Sequence, residues 1–330
     1  MFELTGFDTA AFIAATLAED LGAGLPGGGR DVTSESVIPA EARFAGVMAA
    51  REPVVVAGLE LAADFFRAPD PEATVTLLVA DGDEVSAGTA MLRVEGKARA
   101  LLTAERSALN TLQHLTGIAT MTRAYVTAMG GKATLLDTRK TIPGLRHLEK
   151  YATRMGGAQN HRMGLWDAAM IKDNHVAVAG GVGEAVARAK AAGVAQIICE
   201  VDRLDQIEPA IAAGASHLLL DNMGPELLRQ AVAKVAGRMR TEASGGVNLA
   251  NRAALIQYVW NDTATGANRL PAIQPVGEAP STNQIAIDIQ NSGNTTITPN
   301  SAQNTNSALV TYWKYTNFAK YGWTDQADIA

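Results

Sequence analysis

From residue 133 onward, the sequence alternates between short apolar runs and longer amphipathic stretches. The apolar runs predict β-strands at residues 133–137, 169–172, 196–201, 217–221 and 239–243. The stretches between the later runs predict helices at residues 182–192, 204–213 and 225–235. This alternation predicts a parallel sheet flanked by helices, either as a barrel or as an open doubly wound sheet.

The first third of the chain has a different pattern. Strand-rich segments at residues 42–58, 75–79 and 91–94 are not separated by repeated helical crossovers, which indicates a small α+β domain. An apolar stripe, which is broken near Gly117, then predicts one or two helices over residues 104–129. The fold class predicted is therefore α/β, with three parts: residues 1–115, 116–250 and 251–330.

Composition and charge exclude several classes of protein. The net charge of −6 argues against a general nucleic-acid binder. No apolar run approaches the roughly 18 residues of a membrane helix, and no secretory signal is visible, so a cytoplasmic location is expected. The single cysteine, Cys199, excludes an internal disulfide, and we interpret it as a small buried strand residue rather than a nucleophile.

Charged residues recur just after the predicted strands, at the sheet edge where α/β enzymes carry their chemistry. The residues at this edge are the basic Arg139, Lys140, His161, Arg162 and Lys172, the acidic Glu200 and Asp221, and the flexible Ser244, Gly245 and Gly246. Converging cations repel one another unless an anion joins them. Carboxylates suit Mg²⁺, and glycine-rich backbone can approach a phosphate. The residues at this edge therefore predict two substrates, one an anion and the other a phosphorylated compound that binds magnesium.

Other polar residues have simpler interpretations. Arg106, near the start of the long helix, is from its position alone a solvated charge. His114 and His217 are interpreted as structural residues. Lys150 and Tyr151 lie in a helical stretch and are expected to face solvent or an interface.

Three sequence motifs stand out: DTRKT at residues 137–141, NHRMGLWDAAMIKDNH at 160–175 and EASGG at 242–246. Further characteristic stretches are residues 19–22, 31–34, 56–58, 102–110, 114–120, 143–146 and 220–222. In both order and spacing, these motifs resemble those of the quinolinate phosphoribosyltransferase family. The resemblance covers about residues 10–250.

The resemblance implies a fold, a reaction and roles for residues. The fold is an N-terminal α/β sandwich followed by an open α/β barrel, assembled as a homodimer with a shared active site, a higher oligomer being left open. The reaction joins quinolinate to phosphoribosyl pyrophosphate and releases pyrophosphate and CO₂. By position, the quinolinate-binding residues are Arg106 from the partner subunit, Arg139, His161, Arg162 and Lys172. Lys140, Glu200 and Asp221 match catalytic residues, the two acids also matching magnesium ligands, and Ser244, Gly245 and Gly246 match the phosphate-binding segment.

Composition changes near residue 250. All five histidines precede this point, whereas three of the four tryptophans follow it. The segment 281–307 is rich in Asn, Thr, Ser and Gln, which predicts either short strands or disorder. Because the family's final barrel segment has no visible counterpart, three hypotheses stay open: an active enzyme, an impaired anion-binding scaffold, and a phosphoribosyltransferase for another aromatic acid.

Overall fold

The computed structural model describes residues 1–131 and 133–245 and the backbone of a short strand at 272–273. The described residues form two compact units. The first contains residues 1–120 and 147–156, and the second contains residues 121–146, 157–245 and 272–273. None of the helices in these ranges is long and apolar enough to cross a membrane.

The first unit combines helices with two small antiparallel sheets. Its elements in chain order are α1 (Thr9–Leu21), α2 (Val32–Val37), β1 (Arg43–Ala49), β2 (Val54–Val55), α3 (Leu59–Arg67), β3 (Thr74–Leu77), β4 (Glu84–Val85), β5 (Ala90–Lys97), α4 (Ala98–Met129) and α5 (Arg146–Met155). Of the last two helices, only the part of α4 up to Thr120 and the part of α5 from His147 belong to this unit. Strand β5 pairs with β1 and β3, and β2 pairs with β4. Phe65 and Phe66 of α3 are fully buried in the core of this unit, which confirms an N-terminal α/β domain with its own core.

Of the one or two helices predicted over residues 104–129, the structure has one, α4, which continues through Gly117. An interior glycine costs a helix only about 1 kcal/mol, and the burial of Thr116 and Ile118 on either side offsets that cost. The expectation that Lys150 faces solvent or an interface is wrong, because this residue is only 1% exposed.

The second unit is an open α/β sheet. Its elements are the end of α4, then β6 (Thr134–Leu135), β7 (Ala169–Ile171), α6 (Asp173–Ala179), α7 (Val182–Ala191), β8 (Ile197–Val201), α8 (Ile207–Ala213), β9 (His217–Asp221), α9 (Pro225–Val235), β10 (Arg240–Ser244) and β11 (Ala272–Ile273). All strand pairs are parallel, in the order β6-β11-β10-β9-β8-β7. The predicted parallel α/β architecture is confirmed.

The two faces of this sheet carry different residues because side chains alternate along each strand. On one face, Cys199 and Leu218 pack among the buried residues of α7, α8 and α9. On the other face, Ile198 and Leu219 join a small apolar cluster with residues 168 and 170. The alternation places Glu200 and Asp221, two residues after Ile198 and Leu219, on this second face.

Strand β11 belongs to the chain beyond residue 250, where no counterpart of the family's last segment was found. Ala272 pairs with Glu242 of β10 and with Thr134 of β6, so the short strand lies between two others. The predictions for the rest of residues 251–330, β-rich or disordered, lie outside the described residues. The predicted domain limits at 115 and 250 remain a prediction.

Substitution of Ile273 by proline tests the position of β11. Proline lacks the amide proton that an interior strand needs, so it removes a hydrogen bond of the sheet. Ile273→Pro should therefore lower the midpoint of urea unfolding of the protein, whereas Ile273→Ala, which keeps the amide, reports the loss of the side chain alone. Equal midpoints for the two variants would contradict the pairing.

Candidate active site

Charged side chains from three adjacent strands meet at the carboxyl edge of the second unit. Lys172 follows β7, Glu200 lies near the end of β8, and Asp221 ends β9. The ammonium Nζ of Lys172 lies 3.3 Å from Oε2 of Glu200. The hydroxyl of Ser244, opposite Asp221 in the parallel register, is hydrogen-bonded to the Asp221 carboxylate. Parallel pairing thus brings a cation, two acids and a hydroxyl to one place.

The two acids at this edge share one electrostatic environment. Burial raises the pKa of Glu200; the nearby Lys172 opposes that rise, and the charge of Asp221 adds to it. Burial also raises the pKa of Asp221, against the lowering effects of Lys172, Ser244 and the more distant Lys140. Cations near this pair stabilise its charged form.

A cavity of about 490 Å³ lies next to Lys172, the residue whose ammonium pairs with Glu200. Three of the predicted basic residues, Arg139, Arg162 and Lys172, line it together with the unpredicted His175 and Arg188. Burial lowers the pKa of the Arg162 guanidinium, and the positive charge of Arg139 lowers it further. The cavity wall therefore concentrates positive charge that an anion would stabilise.

The two arginines of this wall are held differently. One guanidinium nitrogen of Arg162 donates to the carbonyl of Ala168 at 3.2 Å. The Nε atom of Arg139 is buried and has no hydrogen-bond partner among the described residues. Buried donors are nearly always paired in folded proteins, so Arg139 has capacity left for a ligand.

The loop that carries Arg162 is fixed by two carboxylates. Asp137, completely buried, accepts from the amide of His161 at 2.7 Å and from the side chain of Asn160 at 2.6 Å. Asp167 accepts from the amides of Met163 and Gly164 at 2.5 and 3.2 Å. Burial raises the pKa of Asp167, but these amides and the Arg162 charge lower it more, so its pKa falls overall.

His161 lies directly before Arg162 and is bound to a buried acid. Its Nε2 atom is 3.2 Å from Oε2 of Glu242, and Nε2 of His217 is 2.8 Å from the same oxygen. Burial tends to raise the pKa of Glu242, but hydrogen bonds from both histidines lower it to about 2. The Glu242 carboxylate is therefore charged at neutral pH.

Gly245 lies directly after the strand that carries Ser244. Its φ is +83°, and a Cβ atom added there would lie 2.1 Å from Oδ1 of Asn222. Asn222 has a φ of +53°, and its backbone N–H donates to the backbone carbonyl of Ser244 at 2.8 Å. Only glycine fits this turn. The predicted phosphate-binding residue Gly246 lies outside the described residues.

The described residues that line this cavity do not include Arg106, Lys140 or Cys199. Arg106 is half-buried on α4 in the first unit. Lys140 is exposed but acts on Asp221 through its charge. Cys199 is buried, and burial raises the pKa of its thiol to about 11, which agrees with its interpretation as an unreactive core residue.

Sequence reasoning did not assign Glu242, Asp137 or Arg188 to the site. Glu242 and Asp137 each lie in or beside a predicted strand. An acidic residue at an inward strand position is a signal that could have marked both. Arg188 lies on α7, where a basic residue is commonly a solvated charge, so no comparable signal exists for it.

Two family models match this chain, one for each of two domains. The family model described as quinolinate phosphoribosyl transferase, N-terminal domain, matches residues 31–116, and the one for the C-terminal domain matches residues 118–268. The second match extends past residue 250, where the motif resemblance ended.

Named relatives and solved structures indicate the same family as these models. A nicotinate-nucleotide pyrophosphorylase (carboxylating) of Mycobacterium leprae is 43% identical over 256 residues, covering 73% of this chain and 86% of the relative. Quinolinate phosphoribosyltransferase (decarboxylating) 1b of Nicotiana tabacum is 38% identical, covering 74% of this chain and 73% of that protein. The crystal structure of NadC from Streptococcus pyogenes superposes with a TM-score of 0.73 at 36% identity, covering 86% of this chain and 96% of that one. This chain belongs to the quinolinate phosphoribosyltransferase family.

Proposed function

We propose that this protein transfers the phosphoribosyl group of phosphoribosyl pyrophosphate to quinolinate, with loss of CO₂, as a step of NAD biosynthesis. The products are nicotinate mononucleotide, pyrophosphate and CO₂. The enzyme is thus a pentosyltransferase, a nicotinate-nucleotide pyrophosphorylase (carboxylating). Its relatives carry the same activity in their names.

The convergence of Arg139, Arg162 and Lys172 on one cavity carries this proposal. Quinolinate has carboxylates on adjacent ring carbons, and several cations are needed to offset the desolvation of both. A guanidinium can pair with a carboxylate through two parallel hydrogen bonds. The unpaired Nε of Arg139 supplies one such donor.

The acids at the carboxyl edge suit the sugar substrate. Glu200 and Asp221 offer carboxylate oxygens, the ligands that Mg²⁺ prefers. Burial raises the pKa of both acids, and a bound cation would stabilise their charged forms. We propose that these two residues hold the Mg²⁺ that accompanies phosphoribosyl pyrophosphate. When bound, the ion draws negative charge onto the leaving pyrophosphate. Ser244 and Gly245, with Gly246, are proposed to bind the 5-phosphate.

The reaction consists of a phosphoribosyl transfer followed by a decarboxylation. The bond between the anomeric carbon and the pyrophosphate oxygen breaks as the ring nitrogen of quinolinate forms a bond to that carbon. The carboxylates of Glu200 and Asp221 stabilise positive charge on the sugar in the transition state. The carboxylate next to the ring nitrogen then leaves as CO₂, its electron pair stays on the ring carbon, and a proton replaces it. Lys172 and Lys140 are the cations that lie near these acids.

Two further proposals concern assembly and location. We propose a homodimer in which Arg106 completes the quinolinate site of the partner subunit. We also propose a cytoplasmic location, because a lone buried cysteine fits a reducing compartment.

Arg162→Lys tests the quinolinate site. Lysine keeps the charge but loses the planar pair of donors, so KM for quinolinate should rise about tenfold or more. The control is Arg203→Lys, because Arg203 makes only exposed ion pairs with its sequence neighbours Asp202 and Asp205 among the described contacts. The assay follows nicotinate mononucleotide and CO₂ together, which should form in equal amounts.

A wild-type protein that binds quinolinate but forms no product would overturn the proposed activity and favour the anion-binding scaffold. Equal effects of Arg162→Lys and Arg203→Lys on KM would contradict the placement of the substrate.

Mixing two inactive variants tests the shared site. Arg106→Ala and Lys172→Ala should each abolish turnover, because each removes a cation proposed for the same substrate. After mixed refolding, one of the two sites in every heterodimer is intact, so about a quarter of wild-type activity should return. The control mixes Arg106→Ala with the double variant and should remain inactive. No recovery in the first mixture would refute the shared site.

A further inference from the structure

We propose that Glu242, held between His161 and His217, is a positioning residue that fixes Arg162 at the cavity through the His161 ring. The inference rests on the proposed function of that cavity as the quinolinate site. It assigns a role to Glu242 and His217, which the reaction itself does not use.

The Glu242 carboxylate lies inside the second unit. Glu242 is only 1% exposed and lies in the middle of β10, in register with Leu219 of β9. A carboxylate so far from water is retained only where it is paired and hydrogen-bonded. His161 and His217 supply those bonds, at 3.2 and 2.8 Å from the same oxygen.

The bonds of His161 fix which ring nitrogen carries the proton. The amide of Arg162 donates to Nδ1 of His161 at 2.7 Å, so Nδ1 supplies a lone pair. In a neutral imidazole the other nitrogen, Nε2, then carries the hydrogen and donates to Glu242. Both ring nitrogens are thereby used, and the ring is fixed between the Arg162 backbone and Glu242.

A metal ion is the rival explanation for these three residues, because their ligand atoms lie within 4.8 Å of one another. A metal bound at Nε2 of His161 needs the lone pair there and the hydrogen on Nδ1. That hydrogen would then face the donating amide of Arg162. The contact with Arg162 therefore favours a hydrogen-bonded cluster over a metal site.

The link from this cluster to the substrate is short. Arg162 follows His161 in the chain, and its guanidinium lines the cavity. If the His161 ring turns, the Arg162 amide loses its acceptor, and the guanidinium that depends on this backbone is displaced. Small displacements of a charged group that binds substrate reduce affinity strongly.

Three variants test the proposal, after the turnover of the wild-type protein has been established. Glu242→Leu keeps the size but removes the carboxylate that accepts from Nε2 of His161, so KM for quinolinate should rise about tenfold or more. Glu242→Gln keeps a weaker, neutral acceptor and should have a smaller effect. His217→Phe removes one donor from Glu242 and tests the cluster independently of the stability of the Glu242 variants.

Leu219→Ala is the matched control. Leu219 is as buried as Glu242, lies in register with it and belongs to the apolar cluster of the same face. This variant should lower the melting temperature and leave KM for quinolinate within about twofold. In all three test variants, kcat and KM for phosphoribosyl pyrophosphate should change much less than KM for quinolinate.

Two readouts distinguish positioning from a general loss of structure. In a His161→Ala background, Glu242→Leu should have little further effect on KM for quinolinate, because residues that act through one another are not additive. Nitrogen-15 NMR of labelled histidine should show His161 with its hydrogen on Nε2.

Additive effects of the His161 and Glu242 substitutions, or equal effects on both substrates, would overturn the proposal. So would a hydrogen on Nδ1 of His161, or stoichiometric zinc retained by the wild-type protein and lost by Glu242→Leu. Absence of wild-type turnover would instead refute the proposed function itself.

Discussion

The second unit places the positively charged side chains of Arg139 and Arg162 on the wall of one cavity, where their charges repel each other. Burial lowers the pKa of the Arg162 guanidinium, and the positive charge of Arg139 lowers it further, so the charged form of Arg162 is less stable here than in water. A folded protein retains such a pair where a ligand or a surrounding network offsets the cost. Here Ala168, Asp167 and the cavity itself surround the pair.

The supporting network is made largely of buried carboxylates. Asp137 fixes the amide of His161, Asp167 fixes the next turn, and Glu242 binds the His161 ring from the neighbouring strand. The charge of Asp167 acts directly on Arg162, whereas Asp137 and Glu242 bind the residue before it, His161. Replacing any of them would leave a buried partner unpaired, which costs about 1–3 kcal/mol.

The sequence was sufficient to predict the parallel architecture and the cations at its edge. Strand periodicity located β8, β9 and β10, and each predicted range overlaps the observed one. Arg139, Arg162 and Lys172 could be grouped because the ends of parallel strands meet at one edge. The pairing of His161 and His217 with Glu242 could not be predicted, because it depends on which strands are neighbours in the sheet and on the conformation of the loop that carries His161. Periodicity within one strand specifies neither of these.

Strand β11 comes from the C-terminal segment of different composition and pairs with a strand that carries site residues. That strand is β10, which carries Glu242 and Ser244. Backbone pairing requires no particular side-chain motif. A strand can therefore occupy this position where the family's usual sequence is not evident.

The central claim is that the cavity beside Lys172 is built for two adjacent carboxylates. Isothermal titration of the wild-type protein with quinolinate, and separately with the monocarboxylate nicotinate, tests it most directly. Quinolinate should bind at least about tenfold more tightly, since a second carboxylate adds charge-assisted hydrogen bonds to the arginines. Equal affinity for the two acids would contradict the claim.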